Sequence, residues 1–408
     1  MKILIDKIII REDLYPRLEI DTKKIQEYSE NIEKLPPIEL NQDNILIDGM
    51  HRMKAHKQAG LDEIEYIVFE TKSDNDIIMR AIETNATHGL QLNYKEKKSL
   101  AVKLYHDDDT RRRLLKVLSV SPSTFDKWTA NKKKELDEER NQKILNLYLR
   151  CWTMKQIAET VGMTEDGISK YLKNYRNNKF METIENFKPN PYNIWSYGKQ
   201  EPTDTKVFGT LPQDIVEQLL YYYTEPFDVV YDPFGGAGIT VDACKKWYRR
   251  YYVTDRKPSE IALTKNIKKA EIQEGIPKLP EIPKLVFMDP PYWQQSKGKY
   301  SNDPTDLANM SLEDFEKTLT AFFKELKRWL NDGSYIALII GMTQSNHQVN
   351  DHAISLYKIL DSIGFSFVQR VNVPYSTQQV NEFDVSSAKK GKYMLKMYRD
   401  LLIFKKGE

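Results

Sequence analysis

An apolar run that ends in an acid and two prolines constrains the fold of this chain more than any other stretch. Leu285–Met288 is a short hydrophobic segment, and Asp289-Pro290-Pro291-Tyr292 follows it directly. Such a run predicts a buried strand, and the prolines must end it because they have no N–H group to donate to a neighbouring strand. Because ligands bind at the carboxyl ends of strands in an open parallel sheet, we expect Asp289 and Tyr292 to lie at a functional edge.

A second pattern of strand and turn lies upstream. Asp228–Thr240 has the pattern of a strand, a glycine-rich turn and the start of a helix, and glycines in such a turn let the backbone approach a ligand closely. The next predicted strand, Arg250–Asp255, ends in an acid roughly 20 residues after the acid of the first, the spacing at which nucleotide-binding α/β folds place a ribose-binding carboxylate. The glycine turn alone is weak evidence, and Asp-Pro-Pro-Tyr alone could be a rigid strand exit. The three elements together are strong evidence for a cofactor-binding domain.

The order of these elements resembles that of the DNA amino-methyltransferases, in which Phe-Xaa-Gly-Xaa-Gly holds the cofactor and Asp-Pro-Pro-Tyr holds the base. The resemblance implies S-adenosylmethionine as the methyl donor and the exocyclic amine of a flipped base in double-stranded DNA as the acceptor. The residues at the catalytic positions are Asp289, Pro290, Pro291 and Tyr292. The residues implied to bind the cofactor are Thr210, Leu211, Asp232, Pro233, Phe234, Gly235, Gly236, Gly238 and Asp255.

The resemblance also bears on the acceptor base. Asp-Pro-Pro-Tyr in this family goes more often with N6 of adenine than with N4 of cytosine, so adenine is favoured and cytosine is the alternative. No metal ion is implied, because the sulfonium methyl group is already activated. Two other classes stay open: an RNA or protein methyltransferase, and a DNA-binding partition or regulatory protein whose methyltransferase part is a non-catalytic scaffold. The recognition sequence and the existence of a cognate restriction nuclease are left open.

The C-terminal half is predicted to have an α/β fold, with a doubly wound, Rossmann-like methyltransferase sheet that ends in an antiparallel hairpin. A buried strand is predicted at Tyr335–Ile340. Two final strands, Ser366–Val373 and Asp400–Phe404, would form that hairpin. A helix is predicted over Pro258–Ala270. No third strand is evident between this helix and the strand that precedes Asp289.

The N-terminal quarter contains an acid-glycine turn that enters a helix, at residues 48–55. Helix N-termini bind anions through free N–H groups, and an arginine in the first turn adds a forked donor. This stretch resembles the ParB/sulfiredoxin-like family, as does a downstream segment in which Thr84 separates a Glu from an Asn. The resemblance implies a small α+β domain, and a purely structural or DNA-positioning turn is the alternative to a nucleotide site. The residues implied to bind a nucleoside triphosphate are Gly49, His51, Arg52, Glu83 and Asn85.

The middle of the chain is predicted to be all helical, and part of it has the pattern of a helix-turn-helix motif. Gly162 lies at the predicted tight turn, and Thr164 is placed to cap the helix that follows. The second helix of such a motif enters the major groove of DNA, where Ser169, Lys170 and Lys173 would contact the backbone or base edges. A generic pair of antiparallel helices is the alternative.

These regions predict three domains: a ParB/sulfiredoxin-like domain at 1–90, a helix-turn-helix region at 91–182 and a methyltransferase domain at 183–408. The 408-residue chain has a formal net charge of only +2, so any DNA contact must come from local patches. Its two cysteines, Cys151 and Cys244, have no metal-binding or disulfide spacing, and no apolar stretch approaches ~18 residues. We therefore expect a cytoplasmic protein without a membrane span, and leave open whether it forms a homodimer.

Overall fold

The structure, a computed structural model, describes residues 1–16, 20–87, 92–197, 211–295, 297–298, 301–345, 348–374 and 382–407. The chain divides into two compact units, Met1–Asn141 and Gln142–Glu408. The division between the units falls inside a long helix, Pro122–Leu149. The three predicted domains, with boundaries after residues 90 and 182, stay a prediction. Among the described residues, no helix is both long enough and apolar enough to cross a membrane.

The first unit combines a small mixed sheet with helices. Its strands are β1 (Lys2–Leu4), β2 (Ile38–Leu40), β3 (Leu46–Asp48) and β4 (Glu63–Val68), in the order β1-β4-β2-β3. Its helices are α1 (Thr22–Ser29), α2 (Met50–Gln58), α3 (Asp74–Thr87), α4 (Tyr94–Leu104), α5 (Asp108–Leu118) and the first part of α6 (Pro122–Leu149). Strand β2 runs parallel to β4 and antiparallel to β3. The α2 helix thus directly follows a buried strand, as the turn at residues 48–55 predicts.

Two consecutive helices near the start of the second unit cover the segment in which a helix-turn-helix motif was predicted. They are α7 (Met154–Val161) and α8 (Glu165–Glu185). Gly162 ends α7 with a φ of 68°, a left-handed conformation that glycine adopts without strain. Ile157 and Ile168 are fully buried and belong to the same apolar cluster as residues of the large sheet. The two helices are therefore packed into the core of the second unit.

The core of the second unit is a sheet with seven strands among the described residues. Its strands are β5 (Val229–Asp232), β6 (Arg250–Asp255), β7 (Lys268–Lys269), β8 (Leu285–Met288), β9 (Tyr335–Ile340), β12 (Phe365–Pro374) and β13 (Tyr398–Lys406), in the order β12-β13-β9-β8-β5-β6-β7. A separate pair consists of β10 (Thr343–Ser345) and β11 (Gln348–Asn350). The helices of this unit beyond α8 are α9 (Gln213–Tyr223), α10 (Ile239–Lys246), α11 (Glu260–Thr264), α12 (Leu312–Trp329), α13 (His352–Ile363) and α14 (Glu382–Gly391).

The sheet is parallel from β9 to β7 and antiparallel at its other edge. Strand β13 pairs antiparallel with both β9 and β12, so the predicted antiparallel pair at the C terminus is present. Alternate residues of β8 belong to different apolar clusters: Leu285 and Phe287 to one, Val286 and Met288 to the other. Side chains of a strand alternate between faces, so both faces of this sheet are covered, as a buried parallel sheet requires.

The prediction of a single helix over Pro258–Ala270 is wrong. The helix spans only Glu260–Thr264, and Asn266 has a φ of 65°, which a continuing α-helix cannot accommodate. The next residues form β7, which pairs in parallel with β6 and supplies the third strand that no sequence pattern revealed. That strand has two residues, both exposed lysines, so it carries no apolar run to detect.

Candidate active site

Three acids lie at the carboxyl ends of adjacent parallel strands. Strand β5 lies between β6 and β8 and pairs in parallel with both. Asp232 is the last residue of β5, Asp255 is the last residue of β6, and Asp289 follows the last residue of β8. Parallel strands that are in register end at the same edge of a sheet, so this topology brings the two acids of the glycine-turn region to the acid of the Asp-Pro-Pro-Tyr segment.

A cavity of about 610 Å³ lies at this edge, within the usual size range of ligand pockets. The predicted site residues that line it are Leu211, Asp232, Pro233, Phe234, Gly235, Gly236, Asp255, Asp289 and Pro291. Gly238, Pro290 and Tyr292 are not among the lining residues. Thr210 lies outside the described residues. The cavity thus brings most of the predicted cofactor residues together with the carboxylate predicted to hold the base.

The glycine turn needs glycine for two different reasons. A Cβ atom on Gly235 would lie 2.4 Å from Cγ1 of Val253, so only glycine lets the turn pack against β6. Gly236 has a φ of 47°, and outside its own chain neighbours the nearest atom to an added Cβ, the carbonyl oxygen of Phe234, is 3.9 Å away. The backbone at Gly236 is exposed and lines the cavity, so a ligand can approach the main chain closely there.

Asp232 supports the glycine turn from inside. Its carboxylate accepts a 2.8 Å hydrogen bond from the backbone N–H of Phe234 and a 2.6 Å hydrogen bond from the hydroxyl of Thr240. Burial raises the pKa of Asp232 to about 7, these two hydrogen bonds oppose that shift, and the nearby charges of Asp289 and Asp255 add to it. Thr240, which the sequence analysis missed, is therefore part of the site through its bond to Asp232.

Asp255 is oriented by two backbone N–H groups. One carboxylate oxygen accepts a 2.9 Å hydrogen bond from Gly236, and the other accepts a 2.8 Å hydrogen bond from Lys257. An ionised carboxylate has about four acceptor positions, so both oxygens can still accept a bond from a ligand hydroxyl. Asp255 is therefore hydrogen-bonded to the glycine turn, and its carboxylate can still bind the two hydroxyls of a diol.

Asp289 has an unusually basic carboxylate. Burial raises its pKa to about 6, while the positive charge of Arg399 and the hydroxyl of Tyr292 act in the opposite direction. Arg399 is a largely buried residue of β13 and was not predicted from the sequence. The ring of Tyr292 packs against the apolar cluster on one face of the sheet. Asp289 is thus a partly buried acid that stays ionised near neutral pH.

The wall of the cavity contains further charged residues that the sequence analysis missed. Arg256 follows the acid of β6, and Asp303 and Asp306 belong to the polar segment after Tyr292. Among the described residues, six carboxylates and three cationic side chains line the cavity. The carboxylates are those of Asp232, Asp255, Glu271, Asp289, Asp303 and Asp306, and the cations are Arg256, Lys257 and Lys269. In the described part of the wall, acids therefore outnumber bases, although the overall charge of the protein is close to neutral.

The predicted DNA-contact residues lie on the outer surface of α8. Ser169, Lys170 and Lys173 are exposed, whereas Ile168 and Leu172 are buried in the core. The helix therefore presents these three side chains to solvent. These exposed side chains would contact DNA if α8 is a DNA-binding helix, and would contact only solvent if α7 and α8 are an ordinary packed helix pair.

In the first unit, the side chains of the predicted nucleotide motif are engaged in the fold. Gly49 has a φ of 108° and directly precedes α2. Arg52 forms a 2.5 Å ion pair with Asp48 and also donates to two backbone carbonyl oxygens. His51 is buried, and its Nε2 accepts a 3.0 Å hydrogen bond from the backbone N–H of Asp21. These contacts position the turn from strand to helix.

The second part of that motif lies on α3. Glu83 lies 3.9 Å from the guanidinium of Arg80, and Asn85 is buried and donates a 2.6 Å hydrogen bond to the carbonyl oxygen of Ala81. These contacts are local to the helix, one turn apart. Nucleotide binding by Gly49, His51, Arg52, Glu83 and Asn85 therefore stays a prediction, and the observed contacts are those of a structural turn and helix.

Comparison with known families decides the class of the protein. The family model of the DNA methylases matches residues 38–266, which is more than half of the chain. The chain belongs to the DNA methylase family. The matched range includes the glycine turn and Asp255 and ends before Asp289.

Individual relatives match shorter parts. The transcriptional regulator NovG of Streptomyces niveus is 34% identical over 106 residues, 25% of this chain and 33% of NovG. A possible regulatory protein of the streptomycin biosynthesis operon of Streptomyces griseus is 39% identical over 59 residues, 14% of this chain and 17% of that protein. The chain thus spans a third or less of each of these curated relatives. A candidate DNA modification methylase of Thermus thermophilus, solved with S-adenosyl-L-methionine, is 16% identical with a TM-score of 0.24, over 34% of this chain and 52% of that chain.

Proposed function

We propose that this DNA methylase transfers a methyl group from S-adenosylmethionine to the exocyclic amine of a flipped base in duplex DNA, with N6 of adenine as the acceptor. One observation carries the proposal: the glycine turn, Asp255 and the Asp289 carboxylate line a single cavity. A cofactor site next to a hydrogen-bond acceptor for an amine is what such a transfer requires.

The residues of the cavity suit S-adenosylmethionine. Asp255 is oriented to accept hydrogen bonds from ribose hydroxyls, and the open backbone at Gly236 gives space for the amino acid part to approach the turn. The excess of carboxylates in the wall favours a ligand with a positive sulfonium. When bound, this cofactor supplies an electrophilic methyl group.

The chain itself would orient and activate the amine. A base amine is a poor nucleophile because its lone pair is delocalised into the ring. Asp289 would accept a hydrogen bond from one N–H and the Pro290 carbonyl would accept one from the other, which favours a tetrahedral nitrogen and stabilises its developing positive charge. Tyr292 would offer a ring face to the base once the base has left the duplex stack. Alignment of the reacting atoms would provide much of the remaining acceleration.

The pKa of Asp289 predicts a pH dependence. A protonated carboxyl group lacks the negative charge that would stabilise the developing positive charge on the amine. The rate of methyl transfer should therefore fall as the pH drops through about 6, the pKa of Asp289. With an ordinary carboxylate the fall would come about two pH units lower. Single-turnover rates between pH 5 and 8 measure this. The residual rate of an Asp289→Asn variant should lack that inflection; if the inflection persists in the variant, Asp289 is not its source.

The acceptor base can be identified directly. We expect incubation of the full chain with labelled S-adenosylmethionine and duplex DNA, followed by nucleoside separation, to yield labelled N6-methyldeoxyadenosine. Labelled N4-methyldeoxycytidine would overturn the choice of base and leave the class of reaction intact. Transfer to RNA or protein in preference to duplex DNA would overturn the substrate class.

Exposed lysines on α8 support a role for the helix pair in DNA binding. We expect the double change Lys170→Ala and Lys173→Ala to weaken duplex binding by roughly tenfold and to reduce its salt dependence. A variant with fewer phosphate contacts releases fewer counterions from the DNA when it binds. The matched control is Lys317→Ala with Lys324→Ala, two exposed lysines of α12. Equal affinities and salt slopes for both double variants would assign α8 a structural role only.

A regulatory role is the second candidate function. It is supported by the similarity to NovG, a protein named as a transcriptional regulator, over a quarter of this chain. In that case the N-terminal part would bind DNA, with or without a nucleoside triphosphate at the Gly49 turn, and the sheet would serve as a scaffold. Binding of S-adenosylmethionine measured by calorimetry separates the two functions, because a scaffold has no need for the cofactor.

A further inference from the structure

A short segment of the cavity wall has a well-defined conformation. Within residues 301–309, Asp303 accepts hydrogen bonds from both the backbone N–H and the hydroxyl of Thr305, at 2.8 and 2.7 Å. Asn309 donates to the carbonyl oxygens of Ser301 and Asp303, at 2.9 and 2.7 Å. Asp306 accepts from the Ser301 hydroxyl at 2.8 Å. We refer to residues 301–309 as the wall loop.

The wall loop faces the candidate cofactor site and connects to the base-binding motif. Its residues Ser301, Asp303, Asp306 and Leu307 line the same cavity as the glycine turn. The backbone N–H of Gln294, two residues after Tyr292, donates a 3.2 Å hydrogen bond to the carbonyl oxygen of Ala308. The position of this loop therefore affects the cavity and the segment directly after the predicted base-binding residues.

An arginine that is not part of the wall loop holds the loop in place. Arg256, the residue after Asp255, donates from Nη2 to the Asp303 carboxylate and to the Thr305 hydroxyl, both at 2.7 Å. Its Nε atom lies 3.5 Å from the carboxylate of Glu271. A second anchor, the amide of Gln273, donates a 3.0 Å hydrogen bond to the Thr305 carbonyl oxygen. The loop that follows the base-binding motif is thus fastened to the strand end that carries the predicted ribose acid.

The Arg256–Asp303 ion pair is expected to affect ligand binding in the cavity more than the stability of the fold. The two side chains are 26% and 47% exposed, and ion pairs with that much solvent contact contribute little to the stability of a fold. Both side chains nevertheless line the cavity. Loss of the ion pair should therefore lower mainly the affinity of the cavity for its ligand.

We propose that Arg256 is a positioning residue, which fastens the wall loop to the end of β6 and so sets the affinity for S-adenosylmethionine. The proposal rests on the function given above. Arg256 acts through Asp303 and Thr305 and takes no part in the transfer itself. Its loss should raise the dissociation constant of the cofactor and change the turnover at saturating cofactor only slightly.

The test is calorimetric titration of the full chain with S-adenosylmethionine for four proteins: wild type, Arg256→Gln, Asp303→Asn and the double variant. We expect each single change to weaken binding by about tenfold, and the double variant to bind no more weakly than the weaker of the two, because each single change breaks the Arg256–Asp303 ion pair. Arg256→Lys keeps the charge and loses the forked geometry, so its affinity should lie between those of wild type and Arg256→Gln.

The matched control is Arg111→Gln, which removes the ion pair between Arg111 and Asp126. Their charged atoms lie 2.9 Å apart, and the two side chains are 28% and 56% exposed. This variant should keep wild-type affinity for the cofactor, and all variants should melt within a few degrees of wild type. If wild type binds the cofactor and Arg256→Gln binds it equally well, or if the two single effects add, the positioning role is overturned while the proposed function stands. If wild type itself binds no S-adenosylmethionine, the proposed function fails and the positioning role fails with it.

Discussion

Replacement of Asp289 by asparagine is expected to lower the rate of methyl transfer by about 10²- to 10³-fold, the usual effect of removing one preorganised electrostatic partner from an active site. Asparagine keeps the size of the side chain and one acceptor oxygen. It lacks the negative charge that would stabilise the amine as it becomes positive. Because Asp289 is predicted to bind the base and not the cofactor, the affinity for S-adenosylmethionine should change little.

Single-turnover transfer to duplex DNA, together with calorimetry of cofactor binding, measures both parts of this prediction. Asp332→Asn is the control, since Asp332 is an exposed acid that does not line the cavity. Equal transfer rates for the Asp289 variant and wild type would remove Asp289 from the mechanism. Loss of cofactor binding together with loss of rate would instead place Asp289 in the cofactor site.

Replacement of Gly236 by valine should weaken binding of S-adenosylmethionine by at least 100-fold, or about 2.7 kcal/mol. Gly236 has a φ of 47°, a conformation that costs a β-branched residue roughly 1–3 kcal/mol. The added side chain would also occupy space at the cavity wall, since the nearest described atom outside Gly236 and its two chain neighbours lies 3.9 Å from the new Cβ position. The backbone N–H of Gly236 donates a hydrogen bond to Asp255, so a displaced turn would also disturb the carboxylate predicted to bind the ribose.

The control for backbone strain is Gly60→Val. Gly60 has a φ of 76° with no atom within 4 Å of an added Cβ, and it does not line the cavity. The two valine variants should lose similar amounts of thermal stability, while only Gly236→Val loses cofactor binding. Calorimetric titration and thermal melting of both variants test this. Similar loss of binding in both would indicate that strain, and not the cavity, explains the effect.

The strand ends of the second unit could be predicted from the sequence because their signals are local. Leu285–Met288 is apolar throughout, and proline must end it, so the position of Asp289 follows from residue types alone. The glycine turn is similarly marked, because the close packing of Gly235 on Val253 tolerates no side chain. The parallel arrangement of β5, β6 and β8 then brings the acids together, as expected for an open α/β sheet.

Other parts of the site depend on contacts between residues far apart in the sequence. Strand β7 consists of two exposed lysines, and only its pairing with β6 defines it. The Arg256–Asp303 pair joins residues separated by 47 positions, and neither residue stands out from the many charged residues around it. Arg399 approaches Asp289 only because β13 lies beside β9 in the sheet. No periodicity or motif encodes such contacts.

In the first unit, the side chains of the predicted nucleotide motif make structural contacts that the sequence pattern did not reveal. The residue types at the Gly49 turn suggest an anion site, yet Arg52 is paired with Asp48 and with backbone carbonyl groups. His51 accepts a backbone hydrogen bond. Which atoms these side chains contact could not be read from their spacing, because the acceptors at Pro36 and Pro37 come from a different part of the chain.

The central claim is that the ends of neighbouring strands place a methyl donor and the acceptor amine side by side, and a crystal structure with sinefungin, an unreactive analogue of S-adenosylmethionine, tests it most directly. We predict that the analogue occupies the cavity with its ribose hydroxyls bonded to Asp255, and that its amine, which stands in for the methyl group, points toward the space next to the Asp289 carboxylate. An analogue bound elsewhere, or an Asp289 side chain turned away from that amine, would contradict the account.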